Sequence, residues 1–160
     1  VAKVPATAAI RALRAAGVPF EPFVYRYEPR GGARHAAACL GVDLHHVVKT
    51  LVLEDETGAP IVALLHGDRE VSTKAVARHL GVKSAQPCDP RVAQRHTGYQ
   101  VGGTSPFGLR RPAPILVPPS VLALDPLWIN GGRRGLLVRV HGDDLRRVLA
   151  PHVVDLAAAG

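Results

Sequence analysis

The stretch Val47-Val48-Lys49-Thr50-Leu51-Val52-Leu53 carries the strongest strand signal in the chain, being Val- and Leu-rich with no Gly or Pro. Thr57-Gly58-Ala59-Pro60 then supplies turn residues, and Ile61 to Leu65 reads as the returning strand. The segment is therefore a hairpin. Side chains alternate along a strand, so Lys49 shares a face with Val47, Leu51 and Leu53, while Thr50 lies on the other. A lysine on an apolar face must pair, reach out to water, or line a cleft. Two readings stand: an edge lysine in water, and a cleft lysine that holds an anionic or carbonyl oxygen.

Upstream of this hairpin, Pro5 to Ala16 reads as a helix, with Ile10 and Leu13 on one face and Gly17 at its end. Phe20 to Tyr27 has strand character, and Pro22 confines it to a sheet edge. Gly31-Gly32 is a loop, Ala33 to Leu40 a short helix closed by Gly41, and Asp43 caps one further turn. Downstream, Ser72 caps a helix through Leu80, stopped by Gly81. Asp89-Pro90 opens another that runs to about His96. Gly98 to Pro119 is loop, with a short strand at Ile115 to Val117. Leu127 to Asn130 and Leu136 to Val140 are strands around a glycine loop, and Asp143 or Asp144 starts the last helix before Pro151. Strands and helices interleave irregularly, which predicts an α+β fold with a mixed sheet. Neither a repeat nor a long linker divides the chain, so residues 1–160 read as one domain.

The chain has 160 residues and is 47% hydrophobic but only 4% aromatic, so its core is built from Val, Leu, Ile and Ala. Its formal net charge of +7 favours a polyanionic partner, and Arg110-Arg111 and Arg133-Arg134 are candidate phosphate contacts. Cys39 and Cys88 form no CxxC motif and have no Cys or His at zinc-ligand spacing. They read as reduced thiols, and no metal is expected. With neither a leader-like segment nor a membrane-length apolar run, the expectation is a cytoplasmic protein with no membrane partner.

A P-loop, a GxGxxG and an HExxH are all lacking. Ser105, in Gly103-Thr104-Ser105-Pro106-Phe107, breaks the GxSxG elbow at its last position. The paired glycines of Gly98-Tyr99-Gln100-Val101-Gly102-Gly103-Thr104-Ser105 allow close approach of backbone N–H groups to a ligand, or simply a tight loop. Asn130-Gly131-Gly132-Arg133-Arg134-Gly135 reads as a hairpin turn, and its arginines are free to meet phosphate.

These segments, in this order, resemble the YbaK/ProX-like aminoacyl-tRNA deacylases, relatives of the editing domain inserted in bacterial prolyl-tRNA synthetases. The carrying residues are Val48-Lys49-Thr50-Leu51; Asp89-Pro90 and Ala93-Gln94-Arg95 with Thr97-Gly98-Tyr99; Val101-Gly102-Gly103-Thr104-Ser105-Pro106-Phe107-Gly108; and Gly131-Gly132-Arg133-Arg134-Gly135-Leu136. The resemblance implies a single domain with a strongly curved, partly barrel-like mixed sheet and flanking helices. It implies cleavage, without a cofactor, of the ester joining a mischarged small amino acid to tRNA, Cys-tRNA(Pro) foremost. It assigns the catalytic lysine to Lys49 and a site tyrosine to Tyr25, with Tyr27 competing. It places Gly102 and Gly103 at the ester oxygen and Thr104, Ser105, Pro106, Gly131, Gly132 and Arg133 around the substrate. In the cysteine branch the substrate's own thiol is thought to attack the ester, a lyase-type route rather than hydrolysis. That branch commonly carries an aspartate where this chain has Leu137. Aminoacyl-tRNA is the implied partner, with prolyl-tRNA synthetase a second; the alternative is a non-catalytic relative that binds tRNA or a synthetase.

Overall fold

In the computed structural model, residues 4–158 are described. The first helix, α1, spans Ala8–Ala15, because Thr7 caps it: the Thr7 hydroxyl accepts from the Ile10 N–H. Pro5 thus lies ahead of the helix rather than in its first turn. β1 is Glu21–Val24, shorter than expected, and it pairs only with β7 (Leu136–Val140). Pro22 sits where the sequence required it, on an edge strand. α2 covers Gly32–Leu40 and ends in Gly41, whose φ of 66° is left-handed. A 3-10 turn at Leu44–His46, capped by Asp43, leads into the central hairpin.

That hairpin is β2 (Val47–Asp55) and β3 (Pro60–His66), antiparallel with Val48 to Glu54 facing the whole of β3. The Asp55 carboxylate closes its turn by accepting from the Thr57 hydroxyl and from the N–H groups of Thr57 and Ala59. These bonds hold Asp55 below the usual carboxylate range. There follow α3 (Thr73–Leu80), β4 (Ala85–Pro87), α4 (Pro90–Thr97), β5 (Ile115–Val117), α5 (Pro119–Leu122), β6 (Leu127–Asn130), β7, α6 (Gly142–Leu149) and β8 (His152–Val153). β4, α5 and β8 escape the sequence reading: Pro87 and Pro119 mask the first two, and β8 has only two residues.

The sheet order is β1-β7-β6-β2-β3-β5-β8, with β4 also on β2. β2/β6, β3/β5 and β5/β8 are parallel and the remaining pairs antiparallel, so the sheet is mixed as expected. It is open, with β1 and β8 at its ends, so the sheet is not a closed barrel. Alternation along the hairpin feeds two cores. Val48, Val62 and Leu64 pack with Ile10 and Leu13 of α1, Val121 of α5 and Leu145 of α6. Leu53, Ile61, Ala63 and Leu65 pack with Val76 of α3 on the other face. Val47 joins Ala36 and Ala37 of α2 and Leu137 of β7 in a third cluster. Each fully buried Leu, Ile or Val contributes about 1.5–3 kcal/mol relative to exposure. No helix among the described residues is long and apolar enough to cross a membrane.

Candidate active site

One side of β2 is shared by two strands. β6 pairs with Val47 and Val48, and β4 with Leu53 to Asp55. Between them β2 has no strand partner on that side among the described residues, and the six consecutive residues Val47 to Val52 line a cavity of about 400 Å³. That volume falls in the range of small-molecule sites. α2 closes the cavity through Ala33 and Ala36. The segment Tyr25 to Arg30 and the loop residues Val101, Gly102 and Thr104 complete it, with Asn130 and Leu137. The gap, rather than any catalytic motif, is what creates the site.

Lys49 lines this cavity, half-buried, and its ammonium donates to the Arg69 carbonyl at 2.5 Å. It is neither a lysine dissolved in water nor an unpartnered charge. One of its three donors is held, and the ammonium is thereby fixed relative to β2. Beside it, the Thr50 hydroxyl is buried with no hydrogen-bond partner. Tyr25 and Tyr27 both line the cavity, so the sequence-level choice between them does not arise in the geometry. Burial raises the Tyr25 phenol above its ordinary pKa, keeping it a neutral donor. Tyr25 sits edge-on to His35, whose Nε2 lies 2.7 Å from the Arg26 carbonyl. Both tyrosines fall just past the end of β1, and the Tyr25 N–H donates to the Gly135 carbonyl.

The glycine loop divides. Gly102, at a φ of 86°, lines the cavity, and a Cβ there would come within 2.7 Å of the Tyr27 hydroxyl. Gly103 is buried away from the cavity; its N–H donates to Gln100 O, and a Cβ would strike the Arg134 backbone nitrogen at 2.7 Å. The Gly103 N–H is therefore spent inside the loop, which removes it as a donor to an ester oxygen. Thr104 is on the cavity wall and donates to Gln100 O. Ser105 is fully buried, with its hydroxyl accepting from the Phe107 N–H, and Pro106 is buried next to it. Neither lines the cavity. Gly131, Gly132 and Arg133 also stand behind the wall. They belong to the turn in which Asn130 Oδ1 accepts from the Gly132 N–H at 2.7 Å and the Arg133 N–H at 3.1 Å.

Sequence reasoning missed Asn130 as a site residue. Its Nδ2 donates to Gly102 O at 3.2 Å, so one side chain orders its own turn and fastens the glycine loop to it. Arg134 adds a second tie, from Nε to the Val101 carbonyl, while its guanidinium lies over the Tyr27 ring at 5.1 Å. Thr7, the cap of α1, holds the same turn from the other side, donating to Gly131 O at 2.6 Å. The Asn130-Gly131 pair signals a turn, but nothing local signals a contact 28 residues away. Leu137 is 4% exposed and gives the cavity an apolar wall. Cys88 is also on the wall, and burial, with Glu54 beside it, pushes its thiol up to about 11.

Residues 28–148 match the family model of the aminoacyl-tRNA editing domain. Over 135 residues the chain is 26% identical to the "Putative Cys-tRNA(Pro)/Cys-tRNA(Cys) deacylase EbsC" of Enterococcus faecalis, covering 84% of this chain and 82% of that one. It is 40% identical over 73 residues to the proline–tRNA ligase of Geobacter sp. (strain M21), covering 46% of this chain and 13% of the ligase. A crystal structure described as that of "a putative trans-editing enzyme for prolyl tRNA synthetase" superposes with a TM-score of 0.81 at 23% identity, over 98% of this chain and all of the other. The resemblance carried by the lysine strand and the two glycine loops is thus borne out, and the chain belongs to the aminoacyl-tRNA editing domain family.

Proposed function

We propose that this chain is a trans-acting deacylase that removes a small amino acid from a mischarged tRNA, with the aminoacyl ester seated against the unpaired stretch of β2. The observation that carries the reading is a fixed lysine ammonium and a neutral tyrosine lining one cavity of an editing-family fold. An ester carbonyl becomes an oxyanion on attack, and donors already aimed at it stabilise the transition state by about 2.7–4 kcal/mol each. Lys49 is the principal such donor in this proposal, Gly102 forms the backbone wall beside it, and Tyr25 and Tyr27 orient the substrate. Gly103, Ser105, Pro106, Gly131, Gly132 and Arg133 act indirectly, by holding those groups in place.

Selection against larger amino acids rests on the narrow apolar wall of Ala33, Ala36, Val101 and Leu137. An extra methylene is worth only about 1–3 kcal/mol in such a pocket. Leu137 cannot orient an ammonium or a thiol, so the chain should clear alanine or serine at a rate comparable to cysteine. The test is a deacylation panel with Cys-, Ala-, Ser- and Pro-charged tRNA, using wild type and Leu137→Asp. The expected result is clearance of more than one small residue by wild type and a shift towards cysteine in Leu137→Asp. No turnover of any charged tRNA would favour a binding-only role, and strict clearance of Cys-tRNA alone would remove Leu137 as the determinant. Thiolactone release from Cys-tRNA, as against free cysteine, separates attack by the substrate thiol from hydrolysis.

A further inference from the structure

We infer that Glu54, Cys88 and His96 form a binding site for one zinc-type divalent cation beside the cavity. Glu54 lies on β2 where β4 pairs with it, Cys88 directly follows β4, and His96 is in the last turn of α4. One carboxylate oxygen, the thiol sulfur and one imidazole nitrogen all lie within 4.8 Å of one another. All three residues are half-buried. Thiolate, imidazole and carboxylate are the donor set of zinc and its neighbours. With Zn–S near 2.3 Å and Zn–N and Zn–O near 2.0–2.2 Å, tetrahedral ligands stand roughly 3.4–3.6 Å apart. Small side-chain rotations would close the remaining distance.

Two further observations point to a ligand here. Both ring nitrogens of His96 are buried without a hydrogen-bond partner among the described residues, an arrangement that a coordinated ion would relieve at one nitrogen. The Cys88 thiol has only a 3.9 Å contact with Glu54 Oε2, and Asp89 adds a second negative charge close by. The other cluster of suitable residues, His45, His66 and Asp68, lacks this feature. His66 Nδ1 is already 2.7 Å from the His45 carbonyl and its Nε2 2.8 Å from the Ser120 hydroxyl. Cys39 is exposed, with His35 Nε2 at 3.4 Å, and no third donor among the described residues lies close to both.

The three ligands come from β2, the end of β4 and α4, so the ion would pin α4 to the open side of β2. α4 leads directly into Gly98 and the loop that walls the cavity, and Cys88 itself lies on that wall. Three protein ligands leave zinc a fourth position for water. This site is independent of the deacylase reading, since it is defined by metal binding alone.

The experiment uses the whole chain, stripped with chelator and then titrated with zinc against a chromophoric competitor, and in parallel with cobalt(II). The expected result is one equivalent per chain, a thiolate-to-cobalt charge-transfer band and a zinc-dependent rise in Tm. Cys88→Ser should lose the band, and Cys88→Ser, His96→Ala and Glu54→Gln should each weaken binding by at least about tenfold. Glu54→Gln keeps the side-chain shape, and circular dichroism of each variant confirms folding. Cys39→Ser and Asp68→Asn should bind as wild type does. Stoichiometric binding without a thiolate band, loss of binding in Cys39→Ser or Asp68→Asn, or no zinc binding by the folded wild-type chain would overturn the inference.

Discussion

Lys49 satisfies two constraints with one side chain. Its place on β2 puts its stem among apolar neighbours, and the Arg69 carbonyl accepts from its ammonium at the cavity wall. Alternation in the sequence foretold the first constraint. The second depends on the chain after β3, which no local pattern announces. If the ammonium contacts the ester oxygen, Lys49→Ala should slow single-turnover deacylation by about 30- to 1000-fold, or 2–4 kcal/mol. Stability should change little, because Arg69 is exposed and water can replace the lost donor. Lys49→Arg should restore only part of the rate, since a planar guanidinium is larger and directs its donors differently. Wild-type rates in a folded Lys49→Ala protein would remove Lys49 from the chemistry.

Among the elements, strands of Val, Ile and Leu were legible even when short, as at Ile115–Val117, and pieces without such composition were not. Ser72 and Asp89 each accept from an N–H of the helix they were expected to cap, whereas Thr7 does so for α1, whose start the sequence put at Pro5. β4 was invisible: Ala85-Gln86-Pro87 has no strand composition, and it forms only because Leu53 to Asp55 offer it an edge. The site depends on that hidden strand, since the gap between β4 and β6 is the cavity. The two glycine loops were legible as loops, but their union through Asn130 was not. This union is testable by splitting the two jobs of Asn130. Asn130→Asp keeps an acceptor for Gly132 and Arg133 but loses the donor to Gly102 O and sets two oxygens against each other. It should fold with a small loss of stability and deacylate slowly. Asn130→Ala should lose both jobs, at about 1.5–4.5 kcal/mol of stability for three bonds worth about 0.5–1.5 kcal/mol each. Equal rates for Asn130→Asp and wild type would mean that the bridge to Gly102 is not needed for the chemistry.

For the whole molecule, charge is the property that the sequence states outright and the fold distributes. The net +7 is not spread at random around the cavity loop. Arg91 and Arg95 project from α4 on one stem of that loop, and Arg110 and Arg111 stand on the other. The stems are joined by the Arg110 N–H to Thr97 O and the Arg111 N–H to His96 O, so the four exposed arginines form one patch. Arg133 is exposed on the neighbouring turn, whereas Arg134 is committed to Val101 and Tyr27. The sequence could not rank these two adjacent arginines; the fold does. If the patch meets tRNA phosphates, log K should fall linearly with log salt, with a slope of roughly −0.7 to −0.9 per phosphate neutralised. Four or five contacts would then cost the wild type on the order of a hundredfold in affinity between 50 and 200 mM salt. Arg91→Glu with Arg95→Glu should weaken binding and flatten the slope by about two units. Arg134→Gln should leave the slope nearly unchanged while lowering the deacylation rate through the loosened loop. A flat salt dependence in the wild type, or an unaltered slope in the double variant, would take the patch out of the binding surface and leave the arginines as solvated surface charge.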